Sequence, residues 1–361
     1  MPADARSRSG PAFEYPPELA AVPDLNPAEL HVYALPMVER FRGITVREGV
    51  LLAGPAGWGE FCPFAEYDDE VAVPWLATAL EAAWLGWPAA VRGSVEVNAT
   101  VPAVGPERAA AIVRASGTRT AKVKVADAEQ SRAAGDERAL AADADRVAAV
   151  RDALGPDGHV RVDANGRWGV DTAVHALGVL DAAAGGLQYA EQPCASVEDL
   201  ARVRARTHVP IAADESIRRA EDPLAVAVAG AADVAVVKCT PLGGVRRALA
   251  VAAAVESAAG MPVVVSSALE TGVGLAAELA LAGALPRLEL ACGVGTLALF
   301  ESDVTTTTSR GTPGRLPVPG RPPAPDADLL ERYALRDPER VRWWRDRTLR
   351  THARLRAVLA R

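Results

Sequence analysis

Four short apolar runs in the middle of the chain end in charged residues at nearly regular intervals. The charged residues are Asp163, Glu191, Asp214 and Lys238, which lie 23 to 28 residues apart. The three carboxylates would offer the hard oxygen ligands that Mg²⁺ prefers, with Mn²⁺ as a substitute. A divalent ion next to a substrate carboxylate can stabilise the enediolate that forms when the α-proton leaves. The pattern therefore predicts a metal site that assists proton abstraction.

Two lysines precede this series, in the run Thr120-Ala121-Lys122-Val123-Lys124-Val125. Its β-branched residues favour a strand, and side chains two apart on a strand share a face. Lys122 and Lys124 therefore point the same way, towards the predicted metal site. A lysine removes a proton only when it is neutral, and Lys122 and the metal should lower the pKa of Lys124. Lys238 would face them as a second acid/base group or as a fixed cation.

A structural alternative exists for the carboxylates. Inside a barrel they could simply form ion pairs with lysine and arginine. For one carboxylate this would be the favoured interpretation, but three at matched strand ends flanked by lysines favour a functional site. Zinc is a poorer fit than magnesium, because the five histidines show no paired ligand spacing.

The intervals between the charged residues indicate the elements that carry them. A strand, a helix and two loops need about 30 residues. Four successive parallel strands would thus present their carboxyl ends at the mouth of a closed (β/α) barrel, over residues 96–292. Residues 28–95 read as a small α+β domain, and residues 1–27 as a flexible tail. The segment 293–361 ends in an arginine-rich helix, which we interpret as a packing helix rather than a polyanion site.

Composition limits the class of protein. Half of the 361 residues are hydrophobic, and the net charge of −7 argues against nucleic acid and anionic membranes as partners. The four cysteines form no CxxC pair, which is typical of free thiols in the cytoplasm. Neither a signal peptide nor an uncharged apolar stretch of about 18 residues is visible. We expect a cytoplasmic monomer or homo-oligomer that binds a small-molecule carboxylate.

Five motifs in order carry a family resemblance: Lys122-Val123-Lys124, Asp163-Ala164-Asn165-Gly166, Glu191-Gln192-Pro193, Asp214-Glu215-Ser216 and Lys238. They resemble the enolase superfamily, in the muconate-lactonising subgroup with paired lysines. The resemblance implies a (β/α)7β TIM-like barrel of the α/β class. It also implies that residues 28–95 form an α+β capping domain, which the segment 293–361 completes.

Within that subgroup, four segments are similar to the actinobacterial o-succinylbenzoate synthases: residues 40–44, 57–61, 63–70 and 266–271. This implies syn dehydration of 2-succinyl-6-hydroxy-2,4-cyclohexadiene-1-carboxylate, a step in menaquinone biosynthesis. Lys124 would take the α-proton and help hydroxide leave, Lys238 would stabilise the enediolate, and Asp163, Glu191 and Asp214 would hold Mg²⁺. The residues implied for the succinyl arm are Ser266, Ser267, Arg42 and Gly43. Arg161 either supports the site or forms a structural ion pair.

Two other functions are compatible with the same sequence. The barrel motifs fit N-succinylamino acid racemases and dipeptide epimerases equally well, because a lysine pair also suits 1,1-proton transfer. A non-catalytic barrel used as a scaffold is the third candidate, and the complete set of charged residues argues against it. Gln192 and Glu215, next to predicted ligands, are expected to support them.

Overall fold

The computed structural model describes residues 13–134, 136–218, 223–308 and 311–361. The strands are β1 (His31–Phe41), β2 (Ile44–Gly54), β3 (Gly57–Phe61), β4 (Ser94–Glu96), β5 (Ala99–Val101), β6 (Thr120–Lys124), β7 (His159–Asp163), β8 (Leu187–Glu191), β9 (Ile211–Ala213), β10 (Val234–Val237), β11 (Val263–Val265) and β12 (Arg315–Pro317).

The helices alternate with the strands through most of the chain. They are α1 (Val73–Leu80), α2 (Pro106–Ser116), α3 (Ala128–Ala134), α4 (Asp136–Leu154), α5 (Val170–Ala184), α6 (Val197–Arg204), α7 (Glu215–Arg218), α8 (Ala225–Val228), α9 (Cys239–Leu242), α10 (Val245–Ala259), α11 (Gly272–Ala284), α12 (Ala327–Arg332) and α13 (Pro338–Leu359). A π-helical turn, Glu81–Leu85, continues α1, and 3-10 turns cover Pro17–Ala21, Pro27–Glu29 and Gly295–Leu299.

The N-terminal domain is an antiparallel sheet in the order β1-β2-β3, covered by α1. β1 and β2 join through Arg42 and Gly43, whose φ angles are +51° and +83°. Two consecutive positive φ angles match the twist of a tight hairpin, and glycine adopts them most easily. This hairpin carries Arg42 to the edge of the domain that faces the barrel.

Part of the segment expected to be a flexible tail packs on this domain. Leu19 and Val22 are only 1% and 3% exposed and belong to the domain's hydrophobic core. Burial of these two side chains contributes about 1.5 to 3 kcal/mol each to holding the segment on the domain. Residues 13–27, which the sequence analysis assigned to a flexible tail, thus include side chains that pack on the domain. Residues 1–12 lie outside the described part of the chain.

The barrel is a parallel sheet in the order β5-β6-β7-β8-β9-β10-β11. Parallel bridges Val97–Cys292 and Ser266–Gly293 complete the ring, so the eighth strand is reduced to these pairs. The strands are rich in valine and largely buried, as expected for parallel strands covered by helices. The prediction of a (β/α) barrel with an N-terminal α+β domain is confirmed.

The C-terminal segment returns to the N-terminal domain. Helix α13 places Trp344 and Leu355 in that domain's hydrophobic core. Its arginines meet carboxylates of the same domain: Arg340 Nε lies 2.7 Å from Glu48, and Arg350 Nε lies 2.8 Å from Asp69. The basic helix is thus a packing helix. None of the helices in the described ranges is long and apolar enough to cross a bilayer.

Candidate active site

The site is built where β6, β7 and β8 end. Lys124 pairs with Asp163 in the β6–β7 register, and Asp163 pairs with Glu191 in the β7–β8 register. Residues in register across a barrel lie in one layer, which brings these side chains together. Lys122 Nζ donates to both carboxylate oxygens of Glu191 at 2.7 Å, and lies 3.3 Å from Asp163 Oδ2. Lys122 therefore bridges two of the predicted ligands.

Lys124 is held by two oxygen atoms. Its Nζ donates to Asp163 Oδ2 at 2.5 Å and to Asn165 Oδ1 at 2.7 Å. Burial lowers the pKa of Lys124, and the charge of Lys122 lowers it further against the opposing effect of Asp163. This direction is the one a general base requires, because it increases the neutral fraction of the amine.

Lys238 follows β10 and reaches the same pocket from another side of the barrel. Its Nζ donates to Asp214 Oδ2 at 2.6 Å, while Arg218 Nε donates to Asp214 Oδ1 at 2.9 Å. Burial alone would raise the pKa of Asp214, but Arg218 and Lys238 outweigh it and hold that pKa well below its usual range. Asp214 is thus ionised and shared by two cations.

The chemistry of the three carboxylates suits a hard divalent cation. Asp163, Glu191 and Asp214 are each 1% exposed and offer only oxygen donors. Burial and the charges of Asp163 and Asp214 raise the pKa of Glu191 to about 7, and this repulsion between carboxylates favours an added cation. Each carboxylate nevertheless contacts a lysine. In the described ranges, no three His, Cys, Asp or Glu side chains are grouped to hold a metal. The donors fit, and a bound cation would compete with these lysines.

A pocket opens above this layer between the two domains. The barrel side includes Lys122, Lys124, Asp163, Asn165, Arg218, Lys238, Thr100, Ser266, Ser267, Ala268, Leu269, Gly293 and Thr296. The N-terminal domain contributes Phe41, Arg42, Phe64 and Trp75. Ser267 Oγ is 2.7 Å from Thr296 Oγ1. The pocket therefore combines a charged floor with an aromatic wall from the other domain.

The residues suggested for substrate binding divide into two groups. Arg42, Ser266 and Ser267 line the pocket. Gly43 and Arg161 do not line it. Gly43 shapes the hairpin turn, so its contribution is to the backbone that presents Arg42.

Arg161 lies deeper in the barrel. It is fully buried, and its guanidinium donates to Gln188 Oε1 at 2.6 Å, Asn98 Oδ1 at 3.2 Å and the Ala291 carbonyl at 2.7 Å. Its Cζ lies 4.6 Å from the centre of the Tyr189 ring. Arg161 thus braces the layer below the site, and its hydrogen bonds go to neutral groups rather than to a carboxylate.

The two residues next to predicted ligands support the site through hydrogen bonds. Gln192 Oε1 accepts from the Asp214 amide at 2.9 Å, and its Nε2 donates to Ser216 Oγ at 2.7 Å. Glu215 accepts from Asn165 Nδ2 at 3.2 Å and from Arg218 Nη2 at 2.6 Å. These contacts fix the orientation of the loops that carry the predicted ligands.

The sequence analysis did not identify some of the residues that line the pocket. Thr100 pairs with Lys122 in the β5–β6 register, and alternation along the first barrel strand could have suggested it. Arg218 lies one helical turn after Asp214, a spacing typical of an ion pair. Phe64 and Trp75 carry no local signal of this kind, because only the contact between domains brings them to the pocket. Thr296 lies in the 3-10 turn Gly295–Leu299 of the barrel side and carries none either.

Two family models match the chain. The model described as "Enolase N-terminal domain-like" matches residues 32–83, and "Enolase C-terminal domain-like" matches residues 106–322. A curated relative from Thermobifida fusca named o-succinylbenzoate synthase is 59% identical over 79% of this chain and 86% of that protein. The protein of that name from Mycolicibacterium smegmatis is 53% identical over 90% of this chain and 95% of its own length.

Solved structures agree on the fold. Muconate lactonizing enzyme from Pseudomonas putida has a TM-score of 0.66 and 22% identity, over 85% of this chain and 98% of that chain. The L-Ala-D/L-Glu epimerase from Bacillus subtilis has a TM-score of 0.68 and 23% identity, over 81% of this chain and 96% of that chain. The motifs, the barrel and the curated relatives agree: the chain is an enzyme that belongs to the o-succinylbenzoate synthase family of the enolase superfamily.

Proposed function

We propose that the chain catalyses Mg²⁺-dependent syn dehydration of 2-succinyl-6-hydroxy-2,4-cyclohexadiene-1-carboxylate to o-succinylbenzoate, a step in menaquinone biosynthesis. The observation that carries the proposal is that Lys124 and Lys238 line one pocket together with the Asp163 carboxylate. The curated relatives with this name, at 50% to 59% identity, support the choice of reaction.

Lys124 is the proposed acid/base group. As the neutral amine, its Nζ takes the proton from the carbon next to the ring carboxylate, and the C–H electron pair passes into an enediolate. The same Nζ, now an ammonium, returns the proton to the hydroxyl group that leaves from the same face as water. The ring becomes aromatic as the C–O bond breaks. Asn165 and Asp163 orient the amine for both steps.

Asp163, Glu191 and Asp214 are the proposed metal ligands. A bound Mg²⁺ would supply positive charge beside the substrate carboxylate, where negative charge develops. Lys122 compensates the buried charges of Glu191 and Asp163, since its Nζ lies within 3.3 Å of both carboxylates. Mn²⁺ would suit the same oxygen donors.

Lys238 and the lining residues complete the assignment. The Lys238 ammonium, anchored on Asp214, would place a fixed cation over the delocalised intermediate. Ser266 and Ser267 from the barrel would bind the succinyl arm, together with Arg42 from the capping domain. This arrangement would leave the reacting carbon between the two lysines.

The decisive experiment is an absorbance assay with the cyclohexadiene substrate, with Mg²⁺ and after its removal by EDTA. We expect o-succinylbenzoate to form with Mg²⁺ and turnover to stop after chelation and resume on addition of Mg²⁺. A rate with Mg²⁺ no higher than the rate without enzyme would reject the proposal.

A second candidate reaction rests on the presence of two lysines in the pocket. If Lys124 and Lys238 flank one carbon, they could move a proton between its faces, as in racemisation of N-succinylamino acids. Deuterium incorporation at Cα of N-succinylamino acids in D₂O measures this activity. Strong exchange without dehydration would make racemisation the primary function.

A further inference from the structure

A buried arginine links the C-terminal helix to the wall of the substrate pocket. Arg347 on α13 is 1% exposed. It donates to the Phe64 carbonyl at 3.2 and 3.3 Å and to the Tyr67 carbonyl at 2.6 Å, while the Asp69 carboxylate is 3.8 Å away. Burial lowers the pKa of Arg347 to about 10, which leaves it charged at neutral pH. Burying a charged guanidinium costs free energy unless it is hydrogen-bonded. The hydrogen bonds from Arg347 offset that cost and tie this loop to α13.

The loop that Arg347 holds carries part of the aromatic wall. The rings of Phe64, Tyr67 and Trp75 pack edge to face, with centroids 5.6, 5.9 and 6.1 Å apart. Phe64 and Trp75 line the pocket. Because Arg347 donates to the carbonyls of two members of this cluster, it constrains the backbone from which the Phe64 ring projects.

The Phe64 ring in turn holds Arg42. The Arg42 Cζ lies 4.2 Å from the centre of the ring, and the Arg47 Cζ lies 4.4 Å from it. Within the described ranges, no carboxylate forms an ion pair with Arg42, so its charge is available to an anionic ligand. Cation–π contact with Phe64 is the interaction that orients this guanidinium at the pocket.

We propose that Arg347 is a positioning residue for substrate binding, acting through Phe64 on the Arg42 guanidinium that receives the carboxylate of the substrate's side arm. The inference rests on the proposed function, since it assumes a substrate with a second carboxylate. It assigns the C-terminal helix a role in substrate affinity, although the helix contributes no residue to the pocket lining.

The test is a double-mutant cycle measured by steady-state kinetics. Arg347→Met should raise KM about tenfold with little change in kcat, because the arm lies away from the reacting carbon. Arg42→Met should raise KM at least as much. The double variant should match Arg42→Met alone, since Arg347 acts through Arg42. Arg347→Lys should recover part of the affinity. Arg350→Met, on the same helix and also near Asp69, should leave KM unchanged.

Additive effects in the cycle, or an unchanged KM in a folded Arg347→Met variant, would overturn the inference. If Arg347→Met does not fold, Phe64→Leu removes the connecting ring without touching α13, and its cycle with Arg42→Met must show the same lack of additivity. Calorimetric titration with o-succinylbenzoate measures affinity without turnover. Tight binding by a wild type that does not dehydrate the substrate would reject the proposed function alone. Equal affinity of wild type and Arg347→Met would reject this inference alone.

Discussion

Replacing Lys124 with arginine separates the two roles this side chain could have, a base or a fixed charge. Arginine retains the positive charge near Asp163, but its pKa is too high for it to accept a proton near neutral pH. If Lys124 is the base, Lys124→Arg should therefore be as inactive as Lys124→Ala. If it serves only as a cation, the arginine variant should retain much of the activity.

The expected loss of activity follows from the role of Lys124 as a base. A positioned general base contributes about 10²- to 10⁴-fold, which corresponds to about 3 to 5 kcal/mol in the activation free energy. The fold should survive, because Asp163 keeps Lys122 at 3.3 Å and is not left as an unpaired buried charge. The loss should thus appear in kcat, while the melting temperature changes little.

The assay follows formation of o-succinylbenzoate by absorbance at saturating Mg²⁺, with circular dichroism and thermal melts as controls for folding. A Lys124→Arg variant within about tenfold of the wild-type kcat would refute the assignment of Lys124 as the base.

Three further predictions follow from the same contacts. Asp163→Asn should weaken Mg²⁺ binding at least about tenfold in calorimetry, and unchanged affinity would remove Asp163 from the ligand set. Lys238→Ala should lose about 100-fold or more in kcat. If the side chain acts as a fixed cation, Lys238→Arg should recover part of that kcat, whereas an equal loss of kcat in both variants would indicate that Lys238 transfers a proton. Burial raises the pKa of Asp303 from 3.8 to about 6, so the folded state holds this proton more tightly than the unfolded state. The free energy of unfolding should then fall by at most about 3 kcal/mol as the pH rises from about 4 to about 6. In urea titrations across that range, Asp303→Asn should lack this pH-dependent part of the unfolding free energy. An identical pH dependence in the wild type and the variant would show that Asp303 is not its source.

Local rules were sufficient to predict that charged side chains meet at one end of the barrel. Alternation along a strand places Lys122 and Lys124 on one face, and the spacing of βα units places Asp163, Glu191 and Asp214 at the same end of the barrel. Both rules depend on residues close in sequence. The family motifs lie on these same elements, so the same residues indicate both the barrel and the family.

The same rules do not predict how deep in the barrel each side chain lies. Arg161 shares a face with Asp163 but precedes it by two residues, which places it about 7 Å further down the strand. There it meets Asn98 and the Ala291 carbonyl instead of the pocket. Alternation along a strand predicts which face a side chain lies on. It does not predict how deep the pocket reaches into the barrel, because that depth depends on side chains from the opposite strands.

The wall of the pocket was decided only by tertiary structure. Arg347 and Phe64 are 283 residues apart, and no periodicity in either segment indicates that they touch. Likewise, the sequence places Leu19 and Val22 in a flexible tail, whereas the structure buries them in the core of the capping domain. Such contacts arise from how the capping domain, the barrel and the C-terminal helix pack together. That packing depends on the complementary shape of surfaces assembled from distant segments, and no single stretch of sequence contains it.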